Sequence, residues 1–593
     1  MQHQDSFMDF SRGPALQCIV AATKTLRDLI QEQSAVQYSL TVILCFVGLS
    51  DHEWLQVATQ QDMGEDWEWV RKAGGGIMCP MRRRGRAGDG LGHSLTQRMC
   101  SRQHAHAMWV SSSFLLTSLL FSCSSAALRH QQGLRAPPPS SEAPPDPLWF
   151  QQMLDHFRPS ETRTWRQRYF LSKKHYKEGG PTLLMIGGEG PANPAWMGAG
   201  AWEEYAKQEG AAMVLLEHRY YGESHPTDDL GVKSMVWLSS RQALADLAAF
   251  TLAMREQEGL VGPWVALGGS YPGSLAAWYR QKYPHLVAGA VSSSAPLLAK
   301  ADFPEYLEVV GTALDSAIPG CTAAVQEGVR RVQRLQAHRV GWAMIRKKFK
   351  LCSNFDGKNT NDVTNLFESL VGNFEGIVQY NRDNRDFEGA QWTNVTIDTV
   401  CQIMLDQSKG SAIERLAAVN DLSLEMSGEK CLDHSYDNQV LELQQTAWES
   451  NAAAGGRQWI YQTCTEFGWY QSSDIPSQPW GRIIPVKFFE KMCGDIFGPK
   501  FSISLLERGV KTTNIEYGGL QPSVTNVVFV HGTTDPWHAV GRTTNLSESS
   551  PAILIPGTAH CANMYPARED DPSALKEARS RVGELISSWV RHA

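Results

Sequence analysis

Twelve cysteines occur in 593 residues, yet no two of them form a CxxC pair. That removes the zinc-ribbon reading, and no metal site is expected. Long apolar runs are missing too. Leu40–Leu49 and Phe114–Phe121 are both too short to cross a bilayer, so no stable membrane span is expected. Positive charge is not in excess: 55 Lys and Arg stand against 62 Asp and Glu, a net charge of −7. Composition therefore offers nothing to nucleic acid. The one basic run, Arg82–Arg86 (RRRGR), reads as a solvated stretch. No internal repeat is visible, and no HGGG-type loop of the kind esterases carry.

What is present points to a secreted, multi-part chain. The length exceeds one simple domain. Residues 108–127 carry a short apolar core and then small residues, the pattern of a signal peptide. A signal should begin a chain, so residues 1–107 are expected to be an upstream extension outside the mature fold. Residues 128–148 form a Pro-rich linker (APPPSSEAPPDP at its centre) that cannot pack into a core. Six cysteines lie between Cys321 and Cys493, and their spread suits disulfides in an oxidising compartment. Their connectivity stays open. Seven cysteines follow residue 130, so one thiol is left over, and Cys561, outside the cluster, is the expected one. The sequons at Asn394 and Asn545 fit passage through the secretory pathway, ending in the endosome or lysosome or outside the cell.

Strand and helix patterns alternate from about residue 165. Arg168–Leu171, Thr182–Ile186, Ala212–Glu217, Trp264–Leu267 and Leu286–Val291 read as strands. Ser239–Glu258 and Leu275–Lys282 read as helices. The alternation stops at about 300 and resumes with the strands Asn526–Val530 and Ala552–Ile555 and a last helix at Ser573–Val590. The expected architecture is a mostly parallel α/β sheet domain in two parts, 149–299 and 516–593. A helical insertion, 300–515, interrupts it.

One junction carries the chemistry. The strand ending at Leu267 runs through Gly268-Gly269 to Ser270, and a helix begins at once. A serine hydroxyl is a weak nucleophile until a base takes its proton. A sharp strand-to-helix turn exposes it, and glycines permit the strained backbone. The helix N-terminus behind it offers free N–H groups to an oxyanion, Tyr271 N–H first. The rest of a triad follows in hydrolase order. Asp535 lies after one strand, in HGTTDPWH, and His560 after the next, in PGTAHC. His531 and His538 are weaker candidates for the base because they share the loop of Asp535. No cofactor is implied, since such a triad needs none.

With these segments the chain resembles the serine peptidase family of lysosomal Pro-X carboxypeptidase, dipeptidyl peptidase II and thymus-specific serine protease. The resemblance runs from about 149 to 592. It rests on WFQQMLDHF (149–157), GGEGP (187–191), EHRYYGES (217–224), GGSYPGSLAAW (268–278), SSSAP (292–296), WIYQTCTEFGW (459–469), GTTDPW (532–537) and GTAHC (557–561). The resemblance implies an α/β-hydrolase fold with a helical cap, the triad Ser270, Asp535 and His560, and cleavage of peptides beside proline near a chain end. It also suggests substrate contacts: Trp469 and Trp537, with Trp459 and Phe467, around a proline ring, and Glu189 and Glu466 near a charged amino end. His531 and Pro272 depart from the usual pattern of that family. A homodimer is the assembly kept open. Two rivals share the fold: an idle binding protein and an esterase.

Overall fold

The computed structural model describes residues 67–71, 78–82, 137, 143–382, 394–476 and 478–593. The signal sequence, nearly all of the upstream extension and most of the linker lie outside them. Two units are separable, Met1–Ser113 and Phe114–Ala593. In the first, Trp67–Arg71 pairs antiparallel with Met78–Arg82.

The second unit is built on an eight-stranded sheet. In chain order its strands are β1 (Leu148–Met153), β2 (Thr164–Ser172), β3 (Thr182–Ile186), β4 (Ala212–Leu216), β5 (Trp264–Gly269), β6 (Gly289–Ser293), β7 (Val527–Gly532) and β8 (Ala552–Ile555). Their spatial order is β1-β2-β4-β3-β5-β6-β7-β8, and only β2 opposes the direction of the rest. That is the α/β-hydrolase arrangement. The central strands are apolar but for Thr182 and buried at every position, as strands covered on both faces must be. Leu183, Val214 and Val265 are fully buried, each contributing about 1.5–3 kcal/mol.

Helices cover both faces. On one side lie Ser240–Gln257, capped by the Ser239 side chain, and Tyr271–Lys282. On the other lie Ala201–Glu209 and the C-terminal helix Ser573–Arg591. Gly289 is required there: a Cβ would fall 2.2 Å from the Trp589 ring. Two expectations shift. The strand read as Leu286–Val291 is Gly289–Ser293, because Leu286 and Val287 are buried in the preceding turn and ladder pairing starts after them. The helix read from Leu275 begins at Tyr271, since Pro272 sits in the first turn, where no N–H is needed.

Between β6 and β7 the chain is mainly helical, from Glu305–Ala317 to Ile503–Tyr517. A short parallel pair, Lys300–Asp302 with Gly468–Tyr470, also lies there, which the helical pattern did not disclose. Disulfides join Cys321 to Cys401, Cys352 to Cys431, and Cys464 to Cys493. This usage fits an oxidising compartment. Cys561 is the free cysteine among the described residues, and it is buried. No helix among them is long and apolar enough to cross a membrane.

Candidate active site

Strand β5 ends at Gly269, and Ser270 turns the chain into the next helix with φ 67° and ψ −136°. A non-glycine residue held there stores about 1–3 kcal/mol of strain. The turn is tight enough to dictate its neighbours. A Cβ at Gly268 would lie 2.1 Å from Pro272 O, and one at Gly273 would lie 2.7 Å from Ser293 O. Ser270 N–H donates to Ser293 O at 2.9 Å, tying the turn to β6. Tyr271 N–H opens the helix, a position with no intrahelical acceptor. The Tyr271 side chain is buried, and its hydroxyl meets His218 Nε2 and Gln462 Nε2, each at 3.1 Å.

Asp535 follows β7 and caps a short turn, its Oδ1 accepting from Trp537 N–H at 3.1 Å. The same oxygen meets His560 Nδ1 at 2.9 Å, and both side chains are fully buried. A carboxylate can only accept, so Nδ1 carries the hydrogen and Nε2 of the neutral ring is left as an acceptor. His560 Nε2 has no partner among the described residues. Burial disfavours charge on this imidazole, but the Asp535 carboxylate and the Cys561 sulfur outweigh it and hold its pKa well above the usual range. Asp535 itself is held below the carboxylate range: burial raises it, and the facing imidazole more than offsets that.

Sequence reasoning had no signal for the groups that hold His560. Its N–H donates to Gln379 O at 2.9 Å, and the Tyr380 ring stands edge-on 5.9 Å away. Both come from the insertion, some 180 positions earlier in the chain. Gln379 Oε1 also accepts from Trp537 Nε1 at 2.9 Å. The Cys561 N–H donates to Ser294 Oγ at 2.8 Å.

Neither rival histidine is hydrogen-bonded to the Asp535 carboxylate. His538 Nδ1 meets the Asp535 carbonyl oxygen, not its carboxylate, at 2.7 Å. His531 lies within β7, buried, with neither ring nitrogen partnered among the described residues; burial pushes its pKa down to about 4.

Trp469 and Trp537 are both buried. Trp469 stacks on Phe467 at 4.5 Å and meets Trp537 edge-on at 5.9 Å, while Trp459 remains half-buried beside them. These rings fill the boundary between sheet and insertion instead of lining an open slot. Glu466 is half-buried, and its carboxylate takes Ser240 N–H and Ser240 Oγ, the latter at 2.7 Å. Burial lifts its pKa to about 7. Glu189, on the loop after β3, is placed differently. Its Oε1 is buried with no hydrogen-bond partner among the described residues, and burial lifts its pKa to about 7. Asn394 and Asn545 are both exposed.

The loop carrying Glu189 is held by another glutamate. Buried Glu217 pairs with Arg168 and accepts from Ala192 N–H at 2.9 Å and Ser224 Oγ at 2.7 Å.

Comparison with known proteins gives the family. The family described as Serine carboxypeptidase S28 matches residues 152–582. Mouse thymus-specific serine protease is 36% identical over 464 residues, 76% of this chain and 88% of that one. Human lysosomal Pro-X carboxypeptidase is 28% identical over 472 residues, 75% of this chain and 88% of that one. Among solved structures, a proline iminopeptidase from Mycobacterium smegmatis aligns with 75% of this chain and 99% of its own, at 11% identity and a TM-score of 0.32. The family match spans most of the chain and carries the assignment: this chain belongs to the serine carboxypeptidase S28 family and is a serine-type peptidase.

Proposed function

We propose that the chain is an exopeptidase that cleaves peptides beside proline, near a terminus, through Ser270, His560 and Asp535. The observation that carries this reading is the pair of His560 and Asp535, joined at 2.9 Å with Nε2 left unpartnered, on the two loops following β7 and β8. Ser270 Oγ attacks the scissile carbonyl carbon while His560 Nε2 takes its proton. The tetrahedral oxyanion is met by Tyr271 N–H. The C–N bond then breaks, His560 gives its proton to the leaving amine, and an acyl-enzyme remains. Water, deprotonated by the same nitrogen, releases the acyl group and restores Ser270. Asp535 fixes the ring's tautomer and stabilises the imidazolium.

The insertion acts as a cap. It reaches the catalytic loops through Gln379 and Tyr380, and so limits entry to a chain end. Half-buried Trp459 is the member of the aromatic cluster best placed to meet a proline ring. Peptides are the expected partners. The disulfides and the exposed sequons suit the secretory route, with glycans on Asn394 and Asn545. A base with a raised pKa is protonated in acid, so a near-neutral destination suits His560 better than an acidic one.

Mass spectrometry of a proline-containing peptide library, with either terminus blocked, tests the reading. Cleavage beside proline that vanishes in Ser270→Ala supports it. Equal behaviour of the two proteins overturns it in favour of an idle binding protein, and turnover of short acyl esters far above any peptide favours an esterase.

A further inference from the structure

Ser270 sits in a strained turn, and the N–H that follows it, on Tyr271, is the donor proposed above for the oxyanion. A strained backbone keeps its shape only where its surroundings over-determine it. The Tyr271 side chain supplies such a restraint, and each hydrogen bond around it has a fixed direction. His218 Nδ1 meets Arg219 O at 2.7 Å; a carbonyl oxygen only accepts, so Nδ1 carries the hydrogen. Burial pushes the His218 pKa down to about 4, so the ring is neutral and Nε2 accepts. The Tyr271 hydroxyl therefore donates to that Nε2, at 3.1 Å. Its oxygen is left to accept, and Gln462 Nε2 donates to it at 3.1 Å. Gln462 Oε1 in turn accepts from the Tyr221 hydroxyl at 2.7 Å. All four side chains are buried. Reversing any one link would set two donors face to face where no water can take up the loss.

Three parts of the molecule meet in this chain of bonds. His218 and Tyr221 lie on the loop after β4, Tyr271 opens the nucleophile's helix, and Gln462 ends the insertion's helix Gly456–Gln462. One turn earlier on the same face, Gln458 Nε2 donates to Tyr220 O and Ala453 O, each at 2.9 Å. The two glutamines differ in what they reach. Gln458 ends on backbone oxygens of the loop and of the insertion, whereas Gln462 reaches the side chain of the residue that carries the oxyanion N–H. A carboxamide suits that position because one head group both accepts, from Tyr221, and donates, to Tyr271.

We propose that Gln462 is a positioning residue for the oxyanion donor: by holding the Tyr271 hydroxyl against His218, it fixes the Tyr271 N–H beside the reacting carbonyl. This rests on Ser270 being the nucleophile and Tyr271 N–H meeting the oxyanion, as proposed above. Gln462 acts through Tyr271 and takes no part in the chemistry itself. The oxyanion exists only in the tetrahedral intermediate and the transition states around it. A slack donor therefore loses transition-state stabilisation and leaves substrate binding nearly untouched. The insertion, seated on the loop after β4, thereby completes the site that it also covers.

The test measures kcat and KM on a fluorogenic peptide for Gln462→Met, Tyr271→Phe and the double variant, with thermal melting to show that each is folded. The first substitution keeps the length of the side chain and removes both of its hydrogen-bonding atoms; the second removes a hydroxyl alone. Deleting an oxyanion donor outright costs about 10²- to 10³-fold in kcat, so loosening one is expected to cost about 10- to 10²-fold, with KM within about threefold. The double variant should fall within about threefold of Tyr271→Phe, because both changes cut the same link. A peptide aldehyde, whose hemiacetal oxygen takes the oxyanion position, should lose affinity in step with kcat/KM. Gln458→Met cuts docking bonds but not the link to Tyr271, and its kcat should stay within about threefold of the wild-type value. Four results overturn the proposal: unchanged kcat in the single variants, losses that multiply in the double variant, aldehyde affinity that holds while kcat falls, or an equal loss in Gln458→Met. If Gln462→Met does not fold, Tyr271→Phe and its aldehyde affinity decide. Ser270→Ala separates the two claims. Cleavage that survives it removes nucleophile and positioning role together, whereas cleavage that needs Ser270 but is indifferent to Gln462 and the Tyr271 hydroxyl removes the positioning role alone.

Discussion

Replacing Asp535 by Asn isolates the charge in the His560 pair. The side chains are isosteric, and an amide oxygen can still accept from His560 Nδ1 and from Trp537 N–H, so packing and tautomer can persist. What disappears is one negative charge 2.9 Å from the imidazole. With an effective dielectric of about 20, that charge stabilises a newly formed imidazolium by roughly 6 kcal/mol. At about 1.36 kcal/mol per decade, the expected loss in kcat is on the order of 10⁴-fold. A second readout follows from the same charge. His560 is raised by the Asp535 carboxylate against the pull of burial. Without that carboxylate burial prevails, and the acid limb of the residual activity moves to lower pH. The assay is a pH series of kcat/KM on a fluorogenic peptide, with circular dichroism and thermal melting to show that the variant is folded. A folded variant that loses less than about tenfold, or whose acid limb stays in place, would refute the role of Asp535.

Other outcomes follow from single contacts. In the wild-type protein, kcat/KM on a fluorogenic peptide should fall as pH drops through a value above the ordinary imidazole 6.5, because the base must be neutral to accept a proton; a profile flat down to about pH 5 contradicts this. Gly268→Ala should be inactive and poorly folded, since its Cβ would lie 2.1 Å from the Pro272 carbonyl oxygen and 2.3 Å from its carbon, both backbone atoms that cannot swing away. Glu217→Ala strands half-buried Arg168 and the buried Ala192 N–H, and chemical denaturation should show a loss of about 3 kcal/mol. Cys321 and Cys401 close a loop of 80 residues, so Cys401→Ser should cost about 4–5 kcal/mol in the chain-entropy account, read the same way.

The sequence makes the sheet legible because buried parallel strands are near-continuous apolar runs between glycines, as at Thr182–Ile186 and Trp264–Gly269. The elbow is legible for a similar local reason: Gly268, Gly269, Ser270 and Pro272 are fixed by the backbone geometry of a single turn. Asp535 and His560 are legible as the polar residues that follow the last two strands. The strand Leu148–Met153 is harder to see. It lies at the sheet edge, and its pattern mixes exposed Leu148 and Trp149 with buried Gln152. The contacts of Gln379 are invisible in sequence for a different reason. Its backbone oxygen accepts from His560 N–H, and any residue type supplies a backbone oxygen.

Glu189 and Glu466 show where reading by motif reaches its limit. Both are glutamates in short Gly- or Thr-flanked segments, and burial lifts both pKa values to about 7. Only the partners separate them. Glu466 spends its carboxylate on the backbone and hydroxyl of Ser240, at the first turn of a helix, where a negative charge is favourable and structural. Glu189 keeps one oxygen buried with no hydrogen-bond partner among the described residues. The insertion contributes to this difference, since Gly455 closes against the Glu189 backbone from that side. The insertion thus does more than narrow the entrance. It holds His560 through Gln379 and encloses Glu189 through Gly455, so loosening it by cutting its disulfides should lower kcat as well as stability.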